Sequence, residues 1–361
     1  MVFVSGAIAG ETVVAEFRTA KKDFATADVR RVLVSSPDRV EPPCDAWHSG
    51  CGGCDWQHID PTAQLGHKTA IVAEALTRTA RLVDPVVVAA GAVAPWGYRT
   101  TVRLASASGV VGFRSRRSHH VVSIDMCPVA APGVNASLDQ LSADGEDEIV
   151  VRTSIATGEV NISSGGGGRG QQFLEEDVAG HRFRVSLGSF FQSSPQAAEL
   201  LVAAVSRATA ELDLSAAHVV DAYGGIGLFA ATSARAAASV TVIEASSSAC
   251  ADARWNLAGR RANIVQSRVE DWIPVRADLV IADPARTGLD TTAVSVLAGT
   301  GTPVIVLISC DTGSLARDTR LLAASGYRHD GTQVIDAFPN TSHIETVTRF
   351  VRVADDVEAN R

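Results

Sequence analysis

Short alternations of apolar and polar residues mark the start of the chain, at 2–4, 12–17 and 27–33. Turn residues separate them, and this period-two pattern predicts the strands of a small β-barrel or curled sheet. Ser35-Ser36-Pro37-Asp38 and Glu41-Pro42-Pro43 read as a linker. Leu65, Ile71, Val72, Leu76 and Leu82 then fall at helical spacing and predict a helix over 64–82. From Tyr98 to about Val185 short strands and turns return, with a glycine run at 165–168 that reads as a loop.

After about residue 190 the pattern changes. A helix is predicted over 195–212, a strand over 218–223, then another helix, a strand over 239–244 and a helix over 246–260. Further buried strands are predicted at 278–282 and 303–308, and a closing pair at 333–337 and 346–353. Buried strands alternating with helices imply an α/β, doubly wound parallel sheet, ending here in an antiparallel hairpin.

Length sets the scale: 361 residues imply two or three domains. The longest apolar stretch, 85–96, is broken by Gly91 and Pro95 and falls short of the ~20 residues that span a bilayer. With no basic leader before an apolar segment, a cytoplasmic, membrane-free protein is expected. A net charge of −8 argues against a simple cationic nucleic-acid binder. The charge is uneven, however: residues 1–130 carry 14 basic and 12 acidic side chains. A polyanion therefore fits better on the N-terminal part, where Arg114, Arg116, Arg117, His119 and His120 form the densest basic cluster.

Six cysteines bring chemistry into view. Cys44, Cys51 and Cys54 form C-x6-C-x2-C, and Cys127 follows in Met-Cys-Pro. Without an export signal, metal binding is favoured over disulfides. One C-x2-C knuckle joined by two single cysteines suits a [4Fe–4S] cluster better than zinc. Gly225-Ile-Gly227 follows a strand, and Glu244 ends the next one. That pairing fits a nicotinamide dinucleotide and S-adenosyl-L-methionine equally, while Asp221 and the terminal hairpin favour the methyl donor. Asp283-Pro284-Ala285-Arg286 and Cys310 both follow buried strands, at the edge where open α/β sheets bind ligands. A helix after Cys310 is expected to favour its thiolate. His343 or Glu345, in the last hairpin, is placed to act as a base.

The whole set, in this order, resembles the RNA 5-methyluridine methyltransferases, the TrmA/RumA-like family. It is most similar to the branch with a TRAM domain and a [4Fe–4S] cluster that methylates 23S rRNA. The resemblance implies a partial OB-like TRAM RNA-binding domain at 1–41 and a central β-rich domain with the cysteine cluster at 42–186. A class I (Rossmann-like) methyltransferase domain would occupy 187–361, with the 64–82 helix able to pack on it. It also implies Cys310 as nucleophile and Glu345 as base, with Gln192, Tyr223, Glu244 and Asp283 around S-adenosyl-L-methionine. Cys44, Cys51, Cys54 and Cys127 would hold the cluster, RNA would be the partner, and the protein would act as a monomer. Chemistry agrees, because uracil C5 becomes nucleophilic only after a thiolate adds at C6, and the reacting base must leave its stack.

The sequence departs from the family pattern at Gly224 and Leu228 in the donor loop, at Ser193-Ser194 and at Asp311-Thr312. The TRAM-like segment also begins abruptly, as if its first strands were missing. Competing expectations are a tRNA uracil-C5 methyltransferase, an RNA-binding or assembly protein with decayed catalysis, and a nicotinamide oxidoreductase.

Overall fold

The computed structural model describes residues 1–107, 109–141, 148–164, 167–169 and 172–353; Gly165 and Gly166 of the glycine run lie outside them. Strands β1 (Val2–Ser5), β2 (Thr12–Ala20) and β3 (Ala25–Val34) come first. They pair in the order β1-β3-β2, with β1 parallel to β3. The result is an open sheet and not a closed barrel, because three strands cannot complete a ring of ladder bonds. Glu11 and Arg39 tie the sheet to the following segment through a paired hydrogen bond. That pairing holds the Glu11 carboxyl down at about 2.

A short helix α1 (Asp45–His48), the long helix α2 (Pro61–Arg78) and strand β4 (Val87–Ala92) follow. The α2 N-cap is Asp60, whose carboxylate accepts from Thr62 N, with Pro61 in the first turn. Six antiparallel strands then build a central sheet: β5 (Thr101–Ala107), β6 (Val110–Arg114), β7 (Val121–Ser123), β8 (Glu148–Thr153), β9 (Val160–Ser164) and β10 (Gly167–Arg169). Between β7 and β8, helix α3 (Pro132–Asn135) packs Val134 against Val102, Leu104, Ile149 and Val151.

The hairpin β11 (Phe173–Val178) and β12 (His181–Ser186) leads into the largest sheet. There the chain runs α4 (Pro195–Ala208), β13 (His218–Ala222), α5 (Leu228–Ala231), β14 (Ser239–Glu244), α6 (Ser247–Asn256) and β15 (Ala262–Gln266). It continues through β16 (Leu279–Ala282), α7 (Thr291–Gly299), β17 (Val304–Ser309), α8 (Thr312–Ala324), β18 (Tyr327–Asp336) and β19 (Glu345–Arg352). Spatial order is β15-β14-β13-β16-β17-β19-β18-β4, parallel except for β19. Within β17, Val304, Val306 and Ile308 enter one core and Ile305 and Leu307 the other. Side-chain alternation along a strand thus feeds a helical layer on each face.

Three features of this part of the fold differ from or go beyond the sequence reading. Helix α6 stops at Asn256, short of the expected 260, because Gly259 turns left-handed (φ +80) just beyond it. The helix after β13 has only four residues, since the loop Tyr223–Gly227 must first turn through three positive-φ residues. Residues 87–92 join the large sheet as its edge, parallel to β18, so α2 and β4 belong by packing to the sheet that carries Cys310. Among the described residues no helix is long and apolar enough to cross a membrane.

Candidate active site

Four parallel strands, β14, β13, β16 and β17, end at one edge of the large sheet, and their carboxyl ends deliver Glu244, the glycine loop, Asp283 and Cys310. This is the ligand edge of an open α/β sheet. Asp221, fully buried in β13, accepts from Ala230 N (2.9 Å) and so fastens the loop to α5. Burial pushes its carboxyl up to about 7. Glu244 accepts from Gly225 N (3.0 Å) and Ser246 N (2.7 Å), which fixes its carboxylate at the mouth of the loop. Tyr223 is left-handed (φ +58) and its hydroxyl donates to Glu270 (2.9 Å). The departure at Gly224 has a local explanation: a Cβ there would lie 2.7 Å from Val242 Cγ1 and 2.9 Å from Asp221 O. Val242 fills the space that a side chain would need.

Cys310 and Glu345 come together because β17 and β19 pair in antiparallel register, ending with Ser309 opposite Thr346. The next residue outward on each strand is Cys310 and Glu345. Thr346 Oγ1 closes this end of the ladder by donating to Ser309 O (3.0 Å). Asp283 stands beside them and receives a long hydrogen bond from Gln192 (3.5 Å). Burial, reinforced by Asp283, raises the Glu345 carboxyl to about 8, and burial alone raises Asp283 to about 7. Arg286 opposes the shift at Glu345 and lies within 3.5 Å of the His343 ring.

The expected thiolate at Cys310 is corrected here. Burial, with Glu345 and Asp283 nearby, pushes the Cys310 thiol up to about 11. The N-terminus of α8 does not serve it, because Asp311 is the N-cap and its carboxylate takes Ser314 N (2.7 Å). Cys310 therefore rests as a neutral thiol.

Three residues important to this geometry escaped the sequence reading. Lys68, wholly buried in α2, donates to Asp336 (2.7 Å) and to Phe338 O (3.1 Å). Gln64, one turn earlier, accepts from Asn340 N (2.6 Å). Asp336 lies at the end of β18, below the loop that carries Glu345. The available signal was that Gln64 and Lys68 share a four-residue spacing with Val72 and Leu76, which places two polar residues on a core-facing stripe.

Cys44, Cys51, Cys54 and Cys127 line one pocket together with Trp47, Phe113 and Met126. None forms a disulfide. Burial raises the thiols of Cys51, Cys54 and Cys127, Cys54 to about 12. Among the described residues, no three His, Cys, Asp or Glu side chains are grouped closely enough to hold one metal ion. In the basic cluster, Arg116 stacks on Trp47 (4.3 Å) and donates to Cys54 O (3.4 Å). Arg117 pairs with Asp28 of the N-terminal sheet (3.3 Å). Arg116 therefore braces the cysteine segment, Arg117 ties its turn to the N-terminal sheet, and Arg114 contacts His119 (3.3 Å).

The relatives decide the family. An uncharacterized RNA methyltransferase of Streptomyces avermitilis is 34% identical, across 96% of this chain and 92% of its own. The chain belongs to the RNA methyltransferases. A second uncharacterized RNA methyltransferase, from Streptomyces coelicolor, is also 34% identical over 96% of this chain and 87% of its own. No family model matches. Among solved structures, the tRNA (uracil-54, C5)-methyltransferase of Pyrococcus abyssi, in complex with S-adenosyl-L-homocysteine, superposes with a TM-score of 0.76 at 23% identity. The match covers 96% of this chain and 95% of that one. This methyltransferase accordingly has the α/β class I methyltransferase fold.

Proposed function

We propose that the protein is an S-adenosyl-L-methionine-dependent RNA uracil-C5 methyltransferase of the TrmA/RumA type, with Cys310 as nucleophile and Glu345 as base. The observation that carries this reading is the β17–β19 register, which brings the thiol and the carboxyl to the same edge beside Asp283. The donor supplies an electrophilic methyl group on a cationic sulfonium, and Gln192, Tyr223, Glu244 and Asp283 are the residues proposed to hold it. Cys310 releases its proton to solvent and its sulfur bonds to uracil C6, moving the C5=C6 pair onto the C4 carbonyl oxygen. That pair returns through C5 to take up the methyl group as the donor's S–CH3 bond breaks and leaves its electrons on the donor sulfur, so C5 carries both hydrogen and methyl. Glu345, as carboxylate, removes the C5 proton; the double bond re-forms and the C6–S bond breaks, returning its electrons to sulfur.

Cys44, Cys51, Cys54 and Cys127 would hold a [4Fe–4S] cluster, whose contribution is structural because the methyl transfer consumes no electron. The open N-terminal sheet exposes Phe3 on one face and Phe17 on the other, each an aromatic ring on which an unstacked base can lie. The proposed RNA is 23S rRNA. A tRNA substrate is the second reading, favoured by the fold shared with the Pyrococcus abyssi enzyme. The test is to incubate the purified protein with labelled donor and either 23S rRNA or a tRNA pool, then analyse nucleosides. Label in 5-methyluridine supports the reading and the labelled RNA identifies the substrate; label only in another nucleoside overturns it.

A further inference from the structure

Loop 337–344 joins β18 to β19 and ends at Glu345. Its centre is Asn340, buried and left-handed (φ +66), with every polar atom in use. Asn340 O accepts from the peptide N–H groups of Asp55 (3.2 Å) and Trp56 (3.0 Å). Its own N–H goes to Gln64 Oε1 (2.6 Å), its Oδ1 accepts from Gln64 Nε2 (3.4 Å), and its Nδ2 donates to Pro95 O (2.8 Å). Two residues on, Ser342 N donates to Asp55 Oδ1 (2.8 Å). The Tyr98 hydroxyl donates to Pro339 O (3.2 Å).

These partners belong to residues 55–98, remote in sequence from the loop, and Asp55 directly follows Cys54. The stretch from Cys44 to Cys54 is itself held by the Cys51–Ser115 β-bridge and by Arg116 stacked on Trp47. We propose that Asp55 and Gln64 are positioning residues for Glu345, forming a splint that fixes the loop aiming the base. The inference rests on the proposed role of Glu345. A base must meet its proton within hydrogen-bond reach, and misplacement by an ångström costs on the order of a hundredfold in rate.

Asp55 is exposed, so its variants keep the fold. Asp55→Ala removes the acceptor for Ser342 N, whereas Asp55→Asn retains an Oδ1 acceptor and removes only the charge. Asp55→Ala is expected to lower kcat roughly ten- to a hundredfold, leave the KM for donor within about twofold, and speed amide exchange at 338–344. Asp55→Asn should restore wild-type kcat and exchange. Wild-type kcat and protection in Asp55→Ala, or equal impairment in Asp55→Asn, would each overturn the splint. Failure of the wild-type protein to methylate uridine would instead remove the role of Glu345, and the exchange measurements tell the two apart.

Discussion

Glu345 pays for its position in proton affinity: buried at the start of β19 next to Asp283, it holds its proton to about pH 8, against an ordinary 4.5. Two consequences follow from the direction of that shift. The unfolded chain loses this proton above pH 4.5 while the folded chain keeps it, so stability from this group is complete below pH 4.5 and lost as pH rises through about 8. Glu345→Gln, uncharged and of the same shape, should therefore melt above wild type at pH 9, with the gap closing towards pH 4.5. A constant gap across that range would contradict the assignment. Because the base must be a carboxylate, kcat/KM should also climb as pH passes through about 8; a flat profile from pH 6 to 9 would count against Glu345 as base. Cys310 shows how a local rule can be right in kind and wrong in address. A helix does begin just after the thiol, yet Asp311 caps it, and only the folded contacts reveal which residue takes the free N–H groups.

Among the elements, α2 and the β18–β19 hairpin are joined by the buried pair Lys68–Asp336, both essentially without solvent exposure. Removing one partner leaves an uncompensated charge in the core. Lys68→Met should cost about 3–5 kcal/mol in denaturant unfolding, and Lys68→Met with Asp336→Leu should recover most of it. Additive losses in the double variant would show that the two side chains do not depend on each other. This junction marks the boundary of what the sequence makes legible. The α2 spacing, the ligand edge and most strands of the large sheet are written in local periodicity, but β15 (Ala262–Gln266) is not among the expected strands. Nor is strand β4, since Val87–Ala92 lies in an apolar run whose partner, Thr332–Asp336, is distant in the chain. The same holds for Gln64 and Lys68, whose burial has a reason only once Asn340 and Asp336 stand opposite them.

For the molecule as a whole, the four sheets of the described residues are joined in part by polar ties: Arg117 to Asp28, Asn256 to the β11–β12 hairpin at Arg184, and the Asp55 and Gln64 contacts to the Glu345 loop. The order of motifs along the chain foretold which residues meet at the sheet edge, because strand ends of a doubly wound sheet share one side. It did not foretell that Asp55 and Trp56, just after the cysteine segment, reach the loop before Glu345, since spacing says nothing of what a segment packs against. The central claim is a transient bond between Cys310 and uracil C6, and it can be read directly. RNA carrying 5-fluorouridine at the methylated position should, with methyl donor present, become covalently trapped, since fluorine cannot leave as a proton. Mass spectrometry of the digested complex should place a methylated fluorouridine on the peptide containing Cys310, and Cys310→Ala should trap nothing. A trapped nucleotide on any other residue, or undiminished methylation by Cys310→Ala, would contradict the account.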